Sequence, residues 1–267
     1  MTETAPEPPP LPAWFDASLP PVNDDFTRRV VLADDAGVWR DTRHAGLEAR
    51  VLEHIGGAEP RLAAQLRLAA GASSASLGDG IGTELLVQRG EVAAGANVWP
   101  SGLYVRLPAG HGERFDEIRL GSESGAGDAD GAGVLLYVAS GHIAPTDGEA
   151  RRIDTADDAR WLPGPIEGVE VLPLHGHGSG NVMLIRWLGA VAFRTKLDPL
   201  GEEMLVLEGC LHDAEGDYPE NTWIRNPVPA WQSWAGDPGT VVYYKNGHFT
   251  TSAASPTALG VAPGRDG

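Results

Sequence analysis

Two adjacent carboxylates, Glu202 and Glu203, lead the run Leu200-Gly201-Glu202-Glu203-Met204-Leu205-Val206-Leu207-Glu208-Gly209, an apolar strand-like segment that closes on a glycine. A carboxylate pair at the head of a strand can work as acid and base, or offer oxygen ligands to a hard cation. Lysine is scarce, with Lys196 and Lys245 the only two in the chain. His175-Gly176-His177 is the one His-x-His. The residues after it, Gly178-Ser179-Gly180-Asn181, place it in a hairpin loop, and Asn181 stands where a carboxylate ligand would be wanted. A surface histidine pair is the expectation. Asp128 and Asp130 lack the closing bidentate Glu of a calcium loop. His111, His142, His212 and His248 adjoin turn residues, which predicts solvated or capping roles. Arg106 and Arg225 precede Pro108 and Pro227 by the same interval, which predicts a shared structural role on turn carbonyls or carboxylates.

The chain that must position these residues has 267 of them, room for two domains with a core each. Thirty-five Gly and twenty-one Pro against 42% hydrophobic residues imply short apolar segments joined by frequent turns, a sheet protein without long helices. A formal charge of -17 disfavours nucleic acid and anionic membrane surfaces as partners. The single cysteine, Cys210, excludes an intrachain disulfide framework and a thiolate zinc cluster. Neither a secretion signal nor a stretch of ~20 apolar residues is present, which predicts a cytoplasmic protein.

Residues 1–25 are proline-rich and read as an extended arm that Trp14 and Phe15 pin to a surface. Arg29-Val30-Val31-Leu32, Ala49-Arg50-Val51-Leu52 and Gln65-Leu66-Arg67-Leu68 read as strands of a first domain over 26–145. Residues 60–70 could be drawn as a helix; their counterpart Val182-Met183-Leu184-Ile185-Arg186-Trp187 is β-branched and aromatic, which decides for a strand. Glu117–Leu120 and Val134–Val138 flank the Gly-rich loop 121–132 as a hairpin. The polar stretch from Pro145 to Asp158 reads as a linker, 146–250 as the second domain and 251–267 as a frayed tail.

The two halves align without a gap from Arg67 to Pro108 at an offset of 119. Asp79 meets Asp198, Gly82 meets Gly201, Glu84 meets Glu203, Gly90 meets Gly209, Pro100 meets Pro219 and Arg106 meets Arg225. Glycines and prolines recurring in one register mean repeated backbone turns. At this period each repeat is a whole domain.

Residues 160–248, with the run to Gly209, Asp213, Gly216-Asp217-Tyr218-Pro219 and Arg225-Asn226-Pro227, resemble the cupin domain of ChrR-type anti-sigma factors; the repeat extends the resemblance more weakly over 30–120. The resemblance implies an all-β chain of two tandem cupin barrels, double-stranded β-helices of the jelly-roll kind, with a ligand or metal at the barrel mouth. The family's spacing of three His and one Glu falls on Lys196, Asp198, Glu202 and Gln232 in the second half, and on Leu77, Asp79, Thr83 and Glu113 in the first. No slot keeps its histidine. A lysine cation repels a metal and is the natural partner of Asp198 and Glu202.

The expected protein is therefore a bicupin with a degenerate metal site and no cofactor. Its pocket, from Lys196, Asp198, Glu202, Gln232, Asp79, Thr83 and Glu113, would take a small polar or anionic molecule in a binding or regulatory role, and a homodimer is expected. The alternatives are a metal-dependent dioxygenase or isomerase using Zn, Fe or Mn in the second barrel, with Asp198, Glu202 and Gln232 as ligands, and an interaction module without ligand.

Overall fold

The computed structural model describes residues 11–34, 38–69, 81–94, 97–111, 118–120, 133–196, 201–226 and 231–247. Among them the chain is mostly β-strand and turn, with a short 3-10 turn at Asp158–Arg160. No helix among the described residues is long and apolar enough to cross a membrane.

The first strands in chain order are β1 (Val30–Leu32), β2 (Arg40–Asp41), β3 (Leu47–Ile55), β4 (Arg61–Leu68), β5 (Thr83–Arg89), β6 (Glu91–Ala94) and β7 (Asn97–Pro100). Next come β8 (Leu103–Leu107), β9 (Ile118–Leu120), β10 (Val134–Ser140), β11 (Arg151–Asp154), β12 (Leu162–Pro163), β13 (Val169–His177) and β14 (Gly180–Trp187). The last are β15 (Val191–Lys196), β16 (Glu202–Glu208), β17 (Cys210–His212), β18 (Asp217–Pro219), β19 (Trp223–Asn226), β20 (Trp231–Gly236) and β21 (Val241–Asn246). Within the segment 60–70 the structure has the strand β4, Arg61–Leu68, as the β-branched counterpart required.

The chain divides into two compact units, one of residues 1–24 and 37–158, the other of 25–36 and 159–267. The first holds a seven-stranded sheet in the order β11-β8-β5-β10-β4-β3-β2, the second one in the order β1-β19-β16-β21-β14-β13-β12. The two orders are the same pattern, and the repeat is visible strand by strand: β4 and β5 map onto β14 and β16 at the offset of 119. Even the irregularities recur. Gln88 is the extra residue in the pairing of β5 with β10, and its counterpart Leu207 is the extra residue in the pairing of β16 with β21. Leu52 bulges from β3 against β4 as Leu174 does from β13 against β14. Such bulges bend and twist a sheet in the way a rolled sandwich needs. Gly90 and Gly209 both have positive φ, +79° and +74°. A Cβ on Gly209 would lie 2.7 Å from Thr240 Oγ1, so the turn is restricted to glycine twice over.

Each large sheet packs one face against a smaller sheet, β7-β6-β9 in the first unit and β15-β20-β17-β18 in the second. Alternation along the strands sends Leu85, Val87, Val105, Leu107, Leu136 and Val138 into the first core with Val92 and Trp99. Met204, Val206, Ile224, Val242 and Trp187 fill the second with Leu211, Tyr218 and Trp234. Each unit is thus two facing sheets, and not one continuously hydrogen-bonded barrel, among the described residues.

Several elements differ from the sequence reading. Val30–Leu32, read as part of the first repeat, hydrogen-bonds to Trp223–Arg225 in the second unit. Arg151–Asp154, read as linker, is the edge strand beside β8. Each large sheet thus takes one edge strand from the chain outside its own repeat, and a strand of three or four residues carries no local mark of which sheet it joins. Ile118–Leu120 pairs with β6 and not with β10, so the segments flanking 121–132 belong to different sheets and form no hairpin. Trp14 and Phe15 are 1% and 5% exposed and belong to the first core, deeper than a surface contact. The Gly-rich loop with Asp128 and Asp130, and the tail after residue 250, lie outside the described residues.

Candidate functional site

Glu202 opens β16 on the inner face, the face that carries Met204 and Val206 into the second core. Strand register places Asn226 of β19 on one side of it and Asn246 of β21 on the other. Asn246 in turn lies opposite Asn181 of β14. Antiparallel partners project to the same face, so Asn181, Asn246, Glu202 and Asn226 make one polar row across four strands. Tyr244 stands one pleat further in on β21, opposite Met204.

The row is bonded internally. Asn226 Nδ2 donates to Glu202 Oε1 at 2.9 Å and Tyr244 Oη donates to Glu202 Oε2 at 3.0 Å. Asn181 donates to Asn246 Oδ1 from its backbone N–H at 3.0 Å and from Nδ2 at 3.3 Å. Exposure is graded along it: Glu202 and Asn226 are 0% and 2% exposed, Tyr244 and Asn246 are half-buried, and Asn181 is exposed. A carboxylate taken out of water is costly unless hydrogen-bonded, and two donors, one on each oxygen, offset much of that cost. The row therefore presents a fixed buried acceptor at its inner end and amide groups toward solvent.

The equivalent row of the first unit has different chemistry. Register runs His54, Leu62, Ser140, Thr83 and Leu107 across β3, β4, β10, β5 and β8. Thr83 and Ser140 hydroxyls are 3.3 Å apart, and leucines stand where the second unit has Asn181 and Asn226. This row buries no charge at the Thr83 position.

Of the residues expected at the sites, Glu202 and Thr83 occupy matched places at the heads of β16 and β5. Lys196 ends β15 opposite Trp231, and Gln232 lies opposite Thr195, so their backbones are brought to adjacent strands. The side chains of Lys196 and Gln232, and the residues Asp198, Asp79 and Glu113, lie outside the described residues. Asn226, Tyr244, Asn246 and Asn181 were missed. One sequence signal could have found Asn226: in the repeat an amide replaces Leu107 at the end of an otherwise apolar strand.

The histidines also move. His175 and His177 lie in the last three residues of β13, with the turn confined to Gly178 and Ser179, and His175 is 8% exposed. A Gly-rich segment hides where a strand ends. His142 is buried rather than solvated: Arg61 Nη2 approaches its Nδ1 at 3.4 Å and Glu53 Oε1 its Nε2 at 3.5 Å. His212 keeps partial exposure between Asp217, 2.7 Å from Nδ1, and Asp237, 3.4 Å from Nε2. The hydrogen bond to Asp217 raises its pKa above the usual histidine value. Among the described residues no group of three His, Cys, Asp or Glu is arranged to hold a metal.

The recurring arginines do what the repeat implied. Arg106 donates to Asp147 and to the Glu149 carbonyl, and Arg225 donates to the Asp25 carbonyl. Beside them Tyr104 Oη and Trp223 Nε1, at matched positions, each donate at 2.8 Å to the matched carboxylates Glu84 and Glu203. Glu203 faces away from the interior row, so the adjacent pair Glu202-Glu203 is divided between two faces of one strand. A joint acid-base role for the two is excluded by that alternation.

Residues 149–250 match the family profile described as the ChrR cupin-like domain. Comparison with curated protein sequences finds no match. Among solved structures, a dioxygenase candidate from Nostoc punctiforme superposes with a TM-score of 0.64 at 14% identity, covering 83% of this chain and 84% of that one. The pirin YhhW of Escherichia coli, in complex with nickel(II), gives 0.58 at 11% identity over 82% and 98%. HEPD of Streptomyces albus, with 2-hydroxyethylphosphonate and Fe(II) bound, gives 0.57 at 11% identity over 92% and 81%. The chain shares the fold of these solved structures, and over residues 149–250 it is similar to the ChrR cupin-like domain.

Proposed function

We propose that the chain is a bicupin whose second unit binds a small polar molecule in a regulatory role, without a transition metal. The observation that carries this reading is the hydrogen-bonded Glu202 at the buried end of a row that reaches solvent at Asn181. Concave sites that fix a ligand with a few well-placed polar groups in an apolar surround are the usual form of a small-molecule site. Around Glu202 the described donors are an amide and a phenol, with no imidazole and no thiolate, a set that does not fit Fe, Mn or Zn. Both groups turn a donor toward the carboxylate, which stabilises the buried anion.

Two measurements on the full-length protein test this. Elemental analysis of the protein as purified should show no stoichiometric metal; one Fe, Mn or Zn per unit would replace the proposal with a metalloenzyme. A compound screen by thermal shift should yield a polar ligand for the wild type, and Glu202→Ala should weaken its binding by about tenfold or more, the loss of one charge-assisted hydrogen bond of ~1.5–3 kcal/mol. Unchanged affinity in Glu202→Ala would remove the row from the site.

A further inference from the structure

The first unit shows what fills the place that is open to solvent in the second. Its row begins at His54, which lies opposite Leu62 on the inner face and is 1% exposed. The Phe15 ring stands edge-on to the His54 ring, centroids 4.6 Å apart, and Trp14 packs edge-on to Phe15 at 5.9 Å. Both aromatics join the buried cluster that contains Leu62, Leu85 and Leu107, the inner-face residues around Thr83. Leu11 and Leu19 pack against the same cluster from either side of them.

The backbone fixes the arm as firmly as the side chains do. Val22 and His54 exchange two hydrogen bonds, 3.0 Å and 2.9 Å, in an isolated antiparallel bridge. His54 Nδ1 is 3.3 Å from the Pro20 carbonyl, and Asn23 Nδ2 donates to the Leu52 carbonyl at 2.7 Å. Tight turns at Pro12–Phe15 and Asp16–Leu19 present the two rings as a compact unit, and Asp16 pairs with Arg43 at 2.7 Å. Pro12, Pro20 and Pro21 limit the conformational entropy that the described part of the arm loses on docking, which favours an arm that stays bound.

We propose that Trp14 and Phe15 are the first unit's own ligand: the arm binds in cis over the row of His54, Ser140 and Thr83, at the position where the second unit's row meets solvent. A variant lacking the indole opens a cavity there that takes a free planar aromatic molecule in its place. The buried cluster that the two rings join, which includes Leu62, Leu85 and Leu107, with the His54 imidazole edge-on to Phe15, matches a flat apolar ring, not an anion. Leucine at the positions of Asn181 and Asn226 is the sequence counterpart of that change. This inference is independent of the ligand proposed for the second unit.

The test uses the full-length protein, Trp14→Ala, and indole as the probe. Trp14→Ala should lower Tm by ~10 °C through an enclosed cavity, and indole should restore part of that loss saturably while leaving the wild type unchanged. A variant that melts with the wild type, or one whose Tm indole does not move, overturns the proposal. Hydrogen exchange of the wild type guards against a variant that fails to fold. The Val22 and His54 amides should be protected to the level of β4 and β10 if the arm is a permanent occupant, and exchange within seconds would overturn it.

Discussion

Arg106→Ala is expected to destabilise the first unit by about 3–5 kcal/mol, the usual loss on breaking a buried ion pair from one side. The Arg106 side chain is 3% exposed and its guanidinium is 2.5 Å from Asp147 Oδ2 and 2.7 Å from the Glu149 carbonyl. Its Nε also lies 3.4 Å from Glu84 Oε1. Truncation takes the cation from Asp147, 4% exposed at its side chain, and from beside Glu84. Two carboxylates would then share a desolvated region in which Glu84 keeps the Tyr104 hydroxyl. Burial, with the Glu84 charge next in importance, already raises the Tyr104 pKa well above the normal value, so the phenol remains a donor and cannot supply positive charge. Arg106→Lys should recover only part of the loss, because an ammonium cannot fork between the Asp147 carboxylate and the Glu149 carbonyl. Urea unfolding of Arg106→Ala, Asp147→Ala and the double variant checks this: the double variant should cost clearly less than the sum of the two singles, and additivity would show that the pair is not coupled.

The turn skeleton of the fold was legible because it is written in residues chosen for backbone dihedrals. Gly82, Gly90, Gly201 and Gly209 all have positive φ, and their recurrence at one offset revealed the repeat before any strand was placed. Glu202 was legible in the same way, since its position follows from counting back from Gly209. The residues that bond it were not. Asn226 and Tyr244 reach Glu202 from β19 and β21, and which residue of a distant strand faces which is set by register across two sheet neighbours. The loop between β20 and β21 and the extra residue Leu207 shift that register, and neither leaves a periodic trace. The arm illustrates the opposite limit. Trp14 and Phe15 stood out by type in a proline-rich segment, but whether two aromatics rest on a surface or enter a core depends on whether the site beneath has exchanged its carboxylate and amides for apolar and hydroxyl groups. In the first unit it has, with Leu62 and Leu107 in the row of Thr83.

Arg29→Ala is expected to cost the second unit about 2–3 kcal/mol, through the edge strand β1 that sequence alone assigned elsewhere. Arg29 Nη2 donates to Asp213 Oδ2 at 2.6 Å and to Tyr218 Oη at 3.0 Å, and Nη1 pairs with Glu215 at 2.5 Å. Tyr218 Oη itself donates to Asp213 Oδ1 at 2.6 Å, and the guanidinium lies 5.5 Å from the Tyr218 ring centroid. The Asp213 side chain has no exposed surface, so removal of the arginine leaves a buried carboxylate with its tyrosine and two backbone N–H donors. The cluster also sets how the second unit responds to pH. Burial opposes ionisation of Asp213, but hydrogen bonds from Tyr218, Glu215 and Arg29 outweigh it and hold its pKa below the ordinary 3.8. A lowered acid pKa stabilises the fold fully above the unfolded value, and the gain is lost as pH falls through the lowered one. Tyr218 moves the other way: burial first, then the hydrogen bond to Asp213, pushes it from 10.0 up to about 12. Its contribution is complete below pH 10.0 and disappears as pH rises toward about 12, because the unfolded tyrosine ionises first. Wild type should therefore lose stability at both ends, in strong acid and above pH 10, while Tyr218→Phe should make the alkaline limb shallower, leaving the share of the buried Tyr104, and keep the acid limb in place. Thermal melts of wild type, Arg29→Ala and Tyr218→Phe across that range decide the matter, and an alkaline limb as steep in Tyr218→Phe as in wild type would assign it to another group.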